Sequence, residues 1–193
     1  MAKIVECIPN YSEGKDLAKI ERIVAPYKNN PKVKLLGVEP DANYNRTVVT
    51  VLGDPEEVKK AVIESIGIAT KEIDMNVHKG EHKRMGATDV VPFLPIQEMT
   101  TEECNEISRE VAKAVWEQFQ LPVFLYESTA TAPNRVSLPD IRKGEYEGMA
   151  EKLKQPEWAP DFGERAPHPT AGVTAIGCRM PLIAFNINLA TTD

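Results

Sequence analysis

Cysteine is scarce in this chain: Cys7, Cys104 and Cys178 are the only three among 193 residues. They lie far apart, are odd in number and form no C-x-x-C spacing, which excludes a disulfide framework and a zinc ribbon. A basic excess is lacking as well. With 23 Lys and Arg against 29 Asp and Glu, the formal charge is -6, so the chain has no overall basic character with which to displace counterions from nucleic acid or an anionic membrane surface. No window approaches the roughly 20 consecutive apolar residues that a membrane span needs, and no N-terminal apolar run resembles a signal peptide. Internal repeats and low-complexity tracts are absent too. The expectation is a cytoplasmic globular protein with neither a nucleic-acid nor a membrane partner. Its 42% hydrophobic residues are ample for a core of one domain or slightly more.

What is present reads as alternating strands and helices. Lys3 to Ile8 alternates and carries β-branched residues, which predicts a first strand closed by Pro9-Asn10. Asp16 is placed to cap a helix with apolar positions at Leu17, Ile20, Ile23 and Val24, ending near Pro26. Strands are expected over Val33 to Val38 and Arg46 to Leu52, with Glu39 to Asn45 as a polar loop between them. Asp54-Pro55 opens an amphipathic helix with Val58, Val62, Ile66, Ala69 and Ile73 on one face. After a strand at Asp89 to Pro95, Thr100 and Glu103 have capping-box spacing for a helix that stops before Leu121-Pro122, and Val123 to Tyr126 is a short strand. The first six elements follow the split β-α-β order. The expected fold class is therefore α+β, ferredoxin-like, with a mixed, mostly antiparallel sheet and helices on one face. From Glu127 to Gly172 six prolines leave room for one short helix, about Glu145 to Lys154, before strand signals return at Val173 to Arg179 and Leu182 to Leu189.

The stretch from Val77 to Pro95 stands apart. It holds two of the three histidines, His78 and His82, with two glycines and a cluster of mixed charges, and then runs into an apolar strand. Polar side chains on a loop carried by a rigid sheet are where chemistry is commonly placed. The Glu39 to Asn45 segment is a second candidate loop, in which Glu39 and Asp41 offer carboxylates or turn caps.

Several segments, in order along the whole chain, resemble the glutamate formimidoyltransferase family. They are Val5 to Gly14 (VECIPNYSEG), Asn45 to Val48 (NRTV), His78 to Val90 (HKGEHKRMGATDV), Lys143 to Glu147 (KGEYE), Trp158 to Gly163 (WAPDFG) and Ile183 to Leu189 (IAFNINL). The resemblance implies transfer of a formimino group from N-formimino-L-glutamate to N5 of tetrahydrofolate, a step of histidine degradation, with folate as acceptor substrate and no metal. It implies that His82 is the catalytic histidine. It also implies that the loop after WAPDF, Gly163-Glu164-Arg165-Ala166-Pro167-His168-Pro169-Thr170-Ala171-Gly172, binds folate. Animal members carry an aspartate near the reacting nitrogen where this chain has Glu39, which keeps the charge and adds one methylene. Family members continue into a second lobe, so residues 1–180 are expected to form the first lobe and 181–193 the first strand of the second, completed by another copy of the chain or a complementary lobe.

The chemistry agrees with that assignment. An amine attacks an amidine-like carbon, and the tetrahedral intermediate must expel the glutamate α-nitrogen, so one group must take up a proton and return it. A histidine, ordinarily titrating near 6.5, suits that work. The substrate carboxylates need cations, and Arg46, Lys79, Lys83 and Arg84 are the nearest in sequence. Two other readings compete. His78-Lys79-Gly80-Glu81-His82 fits the H-x-x-E-H zinc-hydrolase pattern, although Gly80 is a poor helix residue where that pattern requires a helix. A non-catalytic folate-binding or subunit-interface module would keep the Gly163 to Gly172 loop and need no tuned histidine.

Overall fold

A computed structural model describes residues 2–181. The strand expected at Leu182 to Leu189, and with it the start of a second lobe, lies outside the described residues. Strand β1 (Ile4–Cys7) and strand β2 (Asn10–Tyr11) are two halves of one extended run broken at Ile8-Pro9, and both halves lie between the same neighbours. They are followed by helix α1 (Leu17–Lys28), strands β3 (Val33–Asp41) and β4 (Arg46–Gly53), helix α2 (Pro55–Glu72) and strand β5 (Thr88–Gln97). Across the sheet the order is β3, β4, β1 with β2, then β5, and every neighbouring pair in that set is antiparallel. This is the expected split β-α-β arrangement. Helix α3 (Thr101–Phe119) then crosses over to β6 (Val123–Leu125), and β7 (Thr174–Cys178) inserts between β5 and β6, parallel to both. The sheet is therefore mixed and mostly antiparallel, and the fold class is α+β.

The helix ends follow the expected chemistry. Asp16 accepts from the Lys19 N–H, Asp54 from the N–H groups of Glu56 and Glu57, and Thr100 with Glu103 forms the reciprocal capping box. One boundary differs: α1 runs through Pro26 to Lys28. Proline removes one hydrogen bond near the helix end, but burying Tyr27 compensates, because its hydroxyl meets that of Tyr11 at 2.6 Å in a network that includes Ser65.

Side-chain alternation along the strands divides the interior in two. Val5, Cys7, Val49, Val51, Val91, Phe93, Val123, Leu125 and Ile176 join α1, α2 and α3 in the larger core. Val90, Phe124 and Ala175 point the other way and form a second core with Met85, Ile141, Met149 and Leu153. Ile141 belongs to the short helix α4 (Leu138–Arg142) and Met149 to α5 (Glu145–Lys152). Helices α1 to α3 thus cover one face as expected, while the proline-rich segment before β7 folds over the opposite face at the parallel end of the sheet. Among the described residues, no helix is long and apolar enough to cross a membrane.

Candidate active site

The histidine loop is held by backbone and by buried polar bonds on three sides. It begins where α2 ends and contains turns and bends but no helix between residues 74 and 87. On one side stands the β3–β4 turn, residues 42–45. The Asn45 side chain accepts from the Gly14 N–H at 2.9 Å and donates to the Lys79 carbonyl at 2.9 Å. The Asn45 backbone carbonyl accepts from His78 Nε2 at 2.9 Å, and the Glu81 N–H donates to the Asn43 carbonyl at 3.2 Å. Gly80 packs so tightly here that a Cβ would lie 2.3 Å from the Tyr44 carbonyl oxygen. On the second side Ser12 donates to the Gly86 carbonyl at 2.7 Å. On the third, Gly86 forms a bridge with Gly172, and Val173 donates its N–H to the Met85 carbonyl at 3.1 Å. The motifs NYSEG, NRTV and HKGEHKRMG, far apart in sequence, interlock at this point.

His78 is a buried strut. Its Nδ1 accepts from Arg84 Nε at 3.3 Å while Nε2 donates to Asn45, so the ring is the neutral Nε2–H tautomer with both nitrogens engaged. Burial first, and the Arg84 charge after it, lower its pKa despite the Asn45 bond. Arg84 is likewise committed: Nη1 donates to Glu145 at 3.1 Å and to Glu147 at 2.9 Å, and Nη2 to Glu147 at 2.8 Å. Those bonds hold the Glu147 carboxyl down at about 2. A zinc-peptidase geometry is not met, because its two histidines need one helix face, the loop is not helical and His78 has no free nitrogen. Among the described residues no group of three or more His, Cys, Asp or Glu side chains could hold a metal ion.

His82 has the opposite character. It is half-buried, makes no hydrogen bond among the described residues, and its ring centroid lies 6.5 Å from that of Tyr44, edge to face. Burial and then the charges of Arg46 and Arg142 pull its pKa down to about 4. The imidazole is therefore neutral near pH 7 and keeps a lone pair for a proton. The Arg46 guanidinium sits over the Tyr44 ring, 5.7 Å from Cζ to centroid. Arg46 has no carboxylate partner among the described residues, and its buried Nε has no acceptor.

The remaining expected residues fall at different places. Glu39 lies in strand β3 rather than in a loop, because the hairpin pairs as far as Asp41 with Arg46. Pro40 is accommodated in this pairing, since β3 is an edge strand and a missing N–H there breaks no ladder on the outer side. Glu39 is opposite Val48 and Asp41 opposite Arg46, which places Glu39 and Arg46 on the same face, turned away from α1 to α3. Glu39 is exposed, whereas Asp41 caps the turn by accepting from the N–H groups of Asn43 and Tyr44, both at 2.9 Å. Lys79 is exposed.

The segment from Gly163 to Gly172 has two parts. Glu164, Arg165 and Ala166 are exposed. From His168 onward the chain is built into the framework beside the histidine loop: His168 Nδ1 accepts from the Ala171 N–H at 3.0 Å, Thr170 O accepts from the Met75 N–H at 2.7 Å, and Ala171 O from the Ala87 N–H at 2.9 Å. The Gly163 φ of 124° and Gly172 φ of 71° are left-handed, and a Cβ on Gly172 would meet the Met85 carbonyl oxygen at 2.3 Å.

Two residues near His82 escaped the sequence reasoning, Tyr44 and Arg142. Arg142 pairs with Asp89, a carboxylate that is 1% exposed within β5 and also accepts from the Met85 N–H at 3.0 Å. Asp89 was the available signal, since a carboxylate within an apolar strand requires a cation.

Residues 4–179 match the formiminotransferase domain, N-terminal subdomain. The chain is 54% identical over 193 residues to glutamate formimidoyltransferase of Streptococcus pyogenes serotype M1, covering all of this chain and 64% of that protein. It is 41% identical over 192 residues to glutamate formimidoyltransferase of Thermoplasma acidophilum, covering 98% of this chain and 63% of the relative. The formimidoyltransferase-cyclodeaminase of Mus musculus is 45% identical over 192 residues, which span all of this chain and 36% of the mouse protein. The chain thus spans less than two thirds of the length of these relatives.

Proposed function

Since the chain belongs to the formiminotransferase family, matching its N-terminal subdomain, we propose that it takes part in moving the formimino group of N-formimino-L-glutamate to N5 of tetrahydrofolate. One observation carries this reading beyond kinship: a neutral, half-buried His82 without a hydrogen-bond partner among the described residues, within electrostatic reach of cations.

N5 attacks the formimino carbon, forming the N5–C bond, and becomes acidic as it does so. His82, neutral before the reaction, accepts the N5 proton as general base. The resulting imidazolium returns the proton to the α-nitrogen of glutamate as the C–N bond breaks, and that nitrogen leaves as an amine. Proton transfer of this kind contributes typically about 10²–10⁴-fold. Arg46 receives a substrate carboxylate, and the bound anion offsets part of the charge that keeps His82 unprotonated, so His82 becomes a better base once the donor is in place. Glu39, on the same sheet face as Arg46, supports the positive charge that develops on N5. The exposed Glu164 to Ala166 segment and Lys79 are the remaining contacts for folate and its acidic tail. Arg84, four of whose five N–H donors go to His78, Glu145 and Glu147, holds the loop in this reading rather than the ligand.

The reading includes a cytoplasmic setting, no resident metal, and completion of the cleft by a second copy of the chain or by a second lobe that begins near residue 181. The test is to incubate the purified chain with N-formimino-L-glutamate and tetrahydrofolate, with and without a chelator, and to follow 5-formiminotetrahydrofolate. The expected result is product at a rate that the chelator leaves unchanged. No product even when the second lobe is supplied together with this chain, or loss of product on chelation, would overturn the reading.

A further inference from the structure

The KGEYE motif, Lys143 to Glu147, joins α4 to α5, and four of its five side-chain or backbone features have a structural task. Gly144 supplies a left-handed turn at φ 94°, Glu145 and Glu147 hold Arg84, and Tyr146 donates its hydroxyl to Asn76 at 2.8 Å. The Lys143 carbonyl accepts from Lys152 at 3.2 Å, but the Lys143 ammonium has no partner among the described residues and is exposed. Lys143 lines a cleft of about 410 Å³ together with Lys83, Pro139, Arg142, Gly144 and Glu145. Lys83, adjacent in sequence to His82, is also exposed and without an acidic partner among the described residues. Arg142 is paired with Asp89, and Glu145 is the one acid in the lining, its charge met by Arg84 at 3.1 Å. Two uncompensated ammonium groups thus share one cleft beside the catalytic loop of a chain whose net charge is -6.

The geometry points to this cleft as a carboxylate subsite, separate from Arg46, that takes a glutamyl carboxylate through Lys83 and Lys143. The inference rests on the formimino-transfer reading and deepens it: both partners in that reaction carry a glutamyl group, and Arg46 can hold only one of their carboxylates directly. Ammonium groups on flexible stems can follow a carboxylate without the fixed fork of arginine. A rim site of this kind contributes to selecting a dicarboxylate as well as to affinity.

Equilibrium titration of the wild-type chain and of a Lys83→Gln/Lys143→Gln variant provides the test, with three probes: N-formimino-L-glutamate, tetrahydrofolate and the carboxylate-free 6-methyltetrahydropterin. Neither ammonium group has a partner among the described residues, so the variant is expected to keep the wild-type melting temperature. Loss of about tenfold in affinity for one or both glutamyl probes, with the pterin unaffected, is the expected result, and the probe that loses affinity identifies donor or folate tail as the occupant. Unchanged affinity for both glutamyl probes would overturn the subsite while leaving the transfer reading in place. An equal loss for all three probes would overturn it as a carboxylate site. Failure of the wild-type chain to bind any of them would remove the parent reading, and the subsite with it.

Discussion

With Nδ1 accepting from Arg84 and Nε2 donating to Asn45, His78 has neither a lone pair nor a proton to offer a substrate. His82, four positions on, has both nitrogens free of hydrogen bonds among the described residues and feels the charges of Arg46 and Arg142. The sign of the resulting pH dependence follows from its lowered pKa. The folded state favours the neutral ring, so the stability associated with that preference is complete above about pH 6.5 and is lost as the pH falls through about 4. In a proton NMR titration His82 should therefore show a midpoint near 4 in the ligand-free chain. Saturation with N-formimino-L-glutamate should move it upward toward 6.5, because a carboxylate beside Arg46 reduces the repulsion. A free-chain midpoint at the ordinary imidazole value would show that neither burial nor the arginines act on this ring.

At the scale of elements, the site depends on three loops that approach too closely for a side chain to fit between them. Gly80 against Tyr44 is the contact nearest to His82 in sequence, and a Cβ there would lie 2.3 Å from the carbonyl oxygen and 2.7 Å from the Asn45 Cβ. Gly80→Ala should cost about 1–3 kcal/mol, the usual range for overpacking a tight contact, read as a lower denaturant midpoint at unchanged slope. The lifted loop should also expose His82 and raise its pKa. Wild-type stability together with an unchanged His82 titration would contradict this. Much of this level was legible in sequence: the caps at Asp16, Asp54 and Thr100, the amphipathic α2 and α3, and the first six elements all follow from local patterns. Pairing over distance was not. The polar composition of Glu39 to Asn45 reads as loop, yet cross-strand pairing with β4 extends β3 to Asp41. Likewise α4, five residues opened by Leu138-Pro139, is too short to show a period, and its place is fixed by burying Ile141 under the sheet.

At the scale of the molecule, the second core determines where the histidine loop sits. Met85, inside the histidine motif, is fully buried among Phe124, Ile141, Met149 and Val173. The same motif thus presents His82 on one side and anchors itself on the other. Sequence reasoning singled out His82 because the family resemblance points to it, and Arg46 as one of the cations nearest in sequence for the substrate carboxylates. It missed Arg142 because the partner, Asp89, is 53 residues away and only the fold brings them together. Charge is also organised at this scale. Most acidic and basic side chains on the helix side pair with one another, among them Arg22 with Glu72 and Lys59 with Glu56 and Glu110. Arg46, Lys83 and Lys143 have no carboxylate partner among the described residues. That His82 moves the proton in formimino transfer is tested most directly by a His82→Gln variant, which keeps volume and some hydrogen bonding but cannot exchange a proton near neutral pH. Formimino transfer to tetrahydrofolate should fall about 10²–10⁴-fold in turnover while tetrahydrofolate affinity stays within about a few-fold of wild type; near-normal turnover, or affinity lost in step with rate, would contradict the account.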